Sequence, residues 1–127
     1  MIVRQVKVSE VSKDRLARLK GKTGIKNWNT LCRWAFCYSL AEGSVPTDVD
    51  QGPDSNVEMG WHTFTGEAGA AYDVAMIQWC LENEIEVTDA NLTKYFKLHL
   101  ERGIAHLSGT NLIKTVDDLL SIAWREE

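Results

Sequence analysis

One segment constrains the fold of this chain more than any other: a strand with no evident partner. Residues 2–9 alternate, with Ile2, Arg4, Val6 and Val8 on one side and Val3, Gln5, Lys7 and Ser9 on the other. Valine-rich alternation of this kind suits a half-buried strand. A lone strand cannot pair its own amides and carbonyls, and even a two-stranded ribbon is marginal by itself. The rest of the chain reads as helix or loop and offers no second convincing strand. The economical expectation is that the strand pairs with its equivalent in another copy, as an antiparallel ribbon across a two-fold axis. Gln5 and Lys7 would then lie on the exposed ribbon face, with Val6 and Val8 packed inward. The length of 127 residues gives one domain with a modest core.

Helical stripes fill most of the remaining chain. Ser9 and Ser12 are candidate N-caps for a helix from about Lys13 to Lys20, whose apolar stripe is Leu16 and Leu19. Gly21 and Gly24 mark its end, where glycine relieves left-handed strain. Asn27 or Asn29 caps a second helix carrying Trp28, Leu31, Cys32, Ala35, Phe36 and Leu40 at helical spacing, ending near Glu42 and Gly43. Residues 43–66 contain four glycines and both prolines and read as a long connection, of the kind that is usually functional or an interaction surface. A third helix over Glu67 to Asn83 presents Ala68, Ala71, Tyr72, Ala75, Met76, Trp79 and Cys80. Thr88 or Asp89 caps a fourth with Leu92, Tyr95, Phe96 and His99 on one face, and Gly103 is read as its stop. A last helix, from Thr110 or Thr115 to Arg125, is expected to bury Leu112, Val116, Leu119, Leu120 and Ala123. The fold class expected is mainly α: an N-terminal strand plus about five helices. Its order of strand, basic helix, glycine turn and apolar helix is that of a ribbon-helix-helix module, in which the ribbon can enter a DNA groove. The 1–127 domain divides into a basic head (1–42), the loop (43–66) and a helical body (67–127).

The net charge of −4 argues at first against a polyanionic partner, but the charge is unevenly spread. Residues 1–33 hold nine bases and two acids, a net of +7, while the other 94 residues hold five bases and sixteen acids, a net of −11. Such asymmetry points to nucleic acid more strongly than the total points away from it. The candidate phosphate contacts are Lys7, Lys13, Arg15, Arg18, Lys20, Lys22 and Lys26. A solvated basic face is the plainer alternative.

No catalytic constellation is visible. The glycine motifs of nucleotide loops and the Gly-x-Ser-x-Gly elbow are absent, and no metal-ligand spacing links His62, His99 and His106. His99, on an apolar face, reads as a hydrogen-bonded core residue. Asp48, Asp50, Asp54 and Glu58 read as a solvated acidic loop, with a divalent-cation site as the sharper alternative. Cys32, Cys37 and Cys80 form no disulfide framework and read as small buried hydrophobes in a reducing compartment. Trp61 stands in the loop, where it either joins the core or stacks on a base or partner. No cofactor is expected. The chain has neither a signal-peptide run at its start nor an apolar stretch of membrane-spanning length, so a cytoplasmic location is expected.

Three blocks carry a resemblance: Arg18–Cys37 (RLKGKTGIKNWNTLCRWAFC), Ser55–Met59 (SNVEM) followed by Trp61, and His99–Ile104 (HLERGI). In order and spacing, along nearly the whole chain, they resemble the DNA phosphorothioation protein family DndE. The Thr23–Asn29 block is the most specific, because neither helix propensity nor packing demands it. The resemblance implies membership of a bacterial system that replaces a non-bridging phosphate oxygen of DNA by sulfur. In that system, sulfur transfer belongs to a cysteine desulfurase and the iron–sulfur protein DndC, and DndD is an ATPase-like partner. It further implies a tetramer of ribbon-helix-helix-like subunits that binds nicked double-stranded DNA through surface lysines, which with no assembled catalytic site reads as a non-catalytic subunit. Lys20, Lys22 and Lys26 fall inside the matching block. A scaffold assembling DndC-like and DndD-like proteins through the acidic body, and a nuclease using the Asp48–Glu58 carboxylates, are the other readings.

Overall fold

The N-terminal strand finds its partner within the same chain. In a computed structural model that describes residues 1–109 and 113–125, β1 (Gln5–Ser9) pairs antiparallel with β2 (Asp54–Gly60). The register sets Val6 opposite Met59 and Lys7 opposite Glu58, with an irregularity between Lys7 and Ser9. Val6, Val8, Val57 and Met59 are buried and Gln5, Lys7 and Glu58 exposed, the period-two division that a one-sided sheet imposes. The expectation that the strand lacks a partner within its own chain is therefore corrected, and a second copy is not needed to pair it. Two groups on the other edge of β1 are taken by side chains. The Lys97 ammonium donates to the Lys7 carbonyl at 2.5 Å, and the Ser9 amide donates to Glu101 Oε2 at 3.1 Å.

Among the described residues six α-helices surround this ribbon: α1 (Glu10–Thr23), α2 (Trp28–Ala41), α3 (Trp61–Thr65), α4 (Gly69–Glu82), α5 (Asp89–Ser108) and α6 (Val116–Arg125). A 3₁₀ turn, Gly66–Ala68, joins α3 to α4. The 43–66 segment, expected as a loop, thus contains β2 and α3, and its irregular part shrinks to residues 43–53. Trp61 starts α3 and packs its ring 5.7 Å from Phe64 and 5.4 Å from Phe96, so it belongs to the core rather than to a loop anchor. Phe36 on α2 centres the same aromatic cluster, 6.1 Å from Phe64 and 5.0 Å from Phe96.

Helices α2 and α5 make the most extensive helix contact. Gly103 is not a stop but the point where they touch. A β-carbon placed there would stand 1.8 Å from the Ala35 carbonyl oxygen, so only glycine permits the approach. Two residues just before Gly103 fasten α5 to its surroundings. Arg102 donates from Nε to Ser39 Oγ at 2.7 Å and from Nη2 to the carbonyls of Ser39 and Ser44 at 2.7 and 3.1 Å, capping the end of α2. Glu101, only 2 % exposed, accepts from Ser9 Oγ at 2.5 Å and Ser12 Oγ at 2.6 Å, tying α5 to the β1–α1 junction. The expected helical stripes hold for Leu16, Leu19, Leu31, Cys32, Ala35, Phe36, Met76, Trp79, Cys80 and Leu119. Val116 and Leu120 are 38 % and 47 % exposed, because the short α6 packs on α1 through the side that carries the buried Leu119. Leu112 and the Ala123 side chain lie outside the described residues.

Candidate nucleic-acid interface

The basic head is built around α1, and its buried stripe decides where each base points. Ser12, Leu16, Leu19 and Thr23 are buried at helical spacing. Lys13 and Lys20, seven apart, therefore share the flank toward β2. Arg15 and Lys22 share the opposite flank, and Arg18 points outward. Ser9 supplies the N-cap, its side chain accepting from the Ser12 amide at 3.1 Å. The helix starts earlier than its apolar stripe indicates, so Lys13 and Arg15 sit within a formed helix rather than at its frayed start.

The α1–α2 turn explains much of the Thr23–Asn29 block. Thr23 Oγ1 donates to the Leu19 carbonyl at 2.7 Å and accepts from the Ile25 amide at 3.2 Å. Gly24 adopts φ 73°, and its amide donates to the Lys20 carbonyl at 2.9 Å, a left-handed C-cap. Asn27 is the extended N-cap residue of α2, and Asn29 Nδ2 donates to the Thr63 carbonyl at 3.1 Å. Local turn chemistry thus does demand several residues of a block that propensity alone leaves unexplained.

This turn brings two of the seven candidate bases together. Lys20 and Lys26 line one groove of about 350 Å³ with Asn27, Trp28, Asn29 and Thr63. The Lys20 ammonium lies 3.4 Å from the centroid of the Trp28 ring, a cation–π contact that fixes its direction. The groove offers two ammonium groups, neutral amide donors and an aromatic face, the set that holds a phosphate while leaving bases unread. Glu58 also lines it and limits its positive potential.

The other candidates are dispersed. Lys7 is exposed on β1 directly opposite Glu58, so its charge is offset. Lys13 donates to Asn56 Oδ1 at 2.7 Å. Arg15 faces a different hollow, shared with Pro46, Glu101 and Arg102. Arg18 is exposed and Lys22 half-buried away from the groove. Among the described residues none of the seven forms an ion pair; Asp48 and Asp54 instead pair with Lys94 at 2.7 Å and Lys97 at 3.1 Å. Sequence reasoning missed Asn27, Trp28 and Asn29 as groove residues, although all three lie inside the most specific of the family-like blocks.

The chemistry elsewhere is muted. Among the described residues no group of three or more His, Cys, Asp or Glu side chains can hold a metal ion. The Asp50 carboxylate closes a local turn on the Gly52 amide at 2.8 Å. Burial pushes the Cys32 thiol up to about 12, leaving it protonated and unreactive. Cys80 is buried too, whereas Cys37 is exposed on α2, against the expectation for all three. His99 is fully buried, with Nδ1 2.8 Å from Ser39 Oγ, and burial lowers its pKa to about 4. No described helix is long and apolar enough to cross a membrane.

The family model for "DNA sulphur modification protein DndE" matches residues 5–115. Among solved structures, DndE from Escherichia coli B7A, described as involved in DNA phosphorothioation modification, is similar at TM-score 0.69 and 26 % identity, covering 84 % of this chain and 98 % of that one. A DndE mutant with two glycine-to-lysine replacements, described as involved in DNA phosphorothioation, is similar at TM-score 0.64 and 20 % identity, covering 84 % of this chain and 100 % of that one. No curated protein matches.

Proposed function

This chain belongs to the DndE family of DNA sulphur modification proteins, and from that we propose that it serves as a non-catalytic, DNA-binding subunit of the phosphorothioation system. Its ligand is duplex DNA, nicked duplex favoured, held by the sugar–phosphate backbone. The single observation that carries this reading is the Lys20–Lys26 groove with Trp28 at its side, set in residues 1–33 with their net charge of +7. Lysine is a point-charge phosphate binder and suits sequence-independent contact. A nick suits the groove because it frees a flexible backbone end that can bend toward a tryptophan face. The subunit works in the cytoplasm as a homo-oligomer, a tetramer by the family resemblance, alongside DndC-like and DndD-like proteins.

The test is to replace Lys20, Lys22 and Lys26 by Glu and to follow retention of intact and nicked duplexes over a range of salt. Wild-type affinity falls linearly with log salt, by about 0.9 in log affinity per log unit of salt for each phosphate neutralised. The triple variant loses binding while keeping its melting transition. Unchanged retention at low salt refutes the reading, and equal affinity for nicked and intact DNA refutes the nick preference.

A second reading, a scaffold for the partner proteins with little direct DNA role, draws on one observation. Between Arg33 and Lys94 the chain contains no Lys or Arg but eleven Asp and Glu. A stretch of that sign repels DNA and suits a protein partner.

A further inference from the structure

Helix α4 is apolar on more sides than the fold covers. Over Gly69–Glu82 its only charged or amide side chains are Asp73, Gln78 and Glu82. Met76, Trp79 and Cys80 enter the core. On the opposite side Val74 is 63 % and Leu81 61 % exposed, and Ala70 and Ala71 are exposed beside them. Positions 70, 74 and 81, with 71 one step round, form a single stripe along the helix, interrupted on its 71 side by the exposed Gln78, which donates to Glu82. A helix that is apolar all round is normally buried all round, and here one side of it is bare.

The surroundings of this stripe say what covers it. α4 lies within the base-free stretch between Arg33 and Lys94. Glu67 stands before its start, Glu82 at its end, and Glu84 and Glu86 just after it, all exposed. A second copy is a poor occupant. Two α4 faces packed antiparallel set the Glu67 end of each against the Glu82–Glu84 end of the other, and packed parallel they set like ends together. The basic head of a second copy has the right charge but the wrong surface, since the outward side of α1 offers one large apolar residue, Val11, among Asp14, Ala17, Arg18 and Gly21. The exposed Val116 and Leu120 of α6 adjoin Asp117 and Asp118, which repeats the acidic sign.

We propose that the outer face of α4 docks an amphipathic helix of a different protein, one whose apolar stripe is edged by Lys and Arg. Val74 and Leu81 supply the packing, the small Ala70 and Ala71 let the helices approach closely, and the glutamates select the charge. The face lies on a different element from the Lys20–Lys26 groove, so DNA binding and docking fail independently.

The probe is a synthetic leucine–lysine amphipathic helical peptide, titrated by fluorescence anisotropy against the full chain, beside a leucine–glutamate peptide of the same pattern. The basic peptide is expected to bind one to one and to slow amide exchange over 69–82. Its affinity should fall about tenfold, or 1.4 kcal/mol, in Val74→Ser/Leu81→Ser. It should also fall in Glu82→Lys/Glu84→Lys, with melting and DNA retention unchanged in both variants. The acidic peptide is expected not to bind. No binding of the basic peptide, equal binding of both peptides, protection confined to other helices, or unchanged affinity in the serine variant would overturn the proposal. So would a fall in the light-scattering mass of the free protein on the serine substitutions, which would seat a second copy on this face.

Discussion

Replacing Gly103 by alanine sets two physical effects against each other with opposite signs. Gly103 lies inside α5, where alanine is the better helix former by about 1 kcal/mol, so propensity alone predicts stabilisation. Packing predicts the reverse. The new β-carbon would stand 1.8 Å from the Ala35 carbonyl oxygen and 2.4 Å from its carbon, whereas ordinary contact begins near 3.4 Å. The α2 and α5 backbones must then part by about 1.6 Å, because the obstacle is backbone and cannot rotate away. Overpacking costs typically about 1–3 kcal/mol, and a backbone obstacle between the most extensively packed helices belongs at the upper end. The net expectation is a loss of about 2 kcal/mol, or roughly 6–10 °C in melting temperature for a chain of this size. Urea denaturation followed by far-ultraviolet circular dichroism reads it directly. Gly21→Ala is the internal control, since Gly21 lies in α1 with nothing within 4 Å of the added carbon and should gain up to about 1 kcal/mol. If Gly103→Ala is as stable as the parent, or gains like Gly21→Ala, the close-approach argument is wrong.

Two further outcomes arise from the buried polar groups of α5. Glu101→Ala strips the Ser9 amide and the Ser9 and Ser12 hydroxyls of their acceptor and should cost about 3–5 kcal/mol, whereas Glu101→Gln, which keeps one acceptor oxygen, should cost less; amide exchange at Ser9 and Ser12 shows whether the junction opens first. The pKa of His99 is lowered from 6.5 to about 4, so the unfolded state takes up its proton before the folded state does. Its contribution is present above pH 6.5 and is lost as the pH falls toward 4, a decline of roughly 1–3 kcal/mol that His99→Gln should flatten.

Much of the helical architecture is legible in the sequence because each long helix carries a clear apolar stripe. β2 is not, because DSNVEMG contains only Val57 and Met59 as inward residues and reads as loop on either side. The length of the apparent loop is itself a warning, since a structureless connection of that size is rare in a compact domain. Missing β2 carries over into the assembly, because the idea of a ribbon shared between copies rests on β1 having no partner. Gly103 reads as a stop because nothing in one helix's sequence reports how near a second helix passes. The three family-like blocks also divide by role. His99, Glu101, Arg102 and Gly103 fasten the fold, while the Arg18–Cys37 block contributes both turn chemistry and the groove. Charge asymmetry locates the basic head, but which of its bases converge depends on the helix phase and on Trp28, which only the three-dimensional arrangement supplies.

The pairing of β1 has a consequence for how the chain is made. Within this chain the strand is synthesised before its partners: its inner edge waits for residues 54–60, and the side chains on its outer edge come from Lys97 and Glu101. A nascent chain ending before Glu101 holds its most basic segment without a place in the fold. Native contacts this distant in sequence close slowly, so the basic head becomes ordered only when nearly all the acidic body has been synthesised.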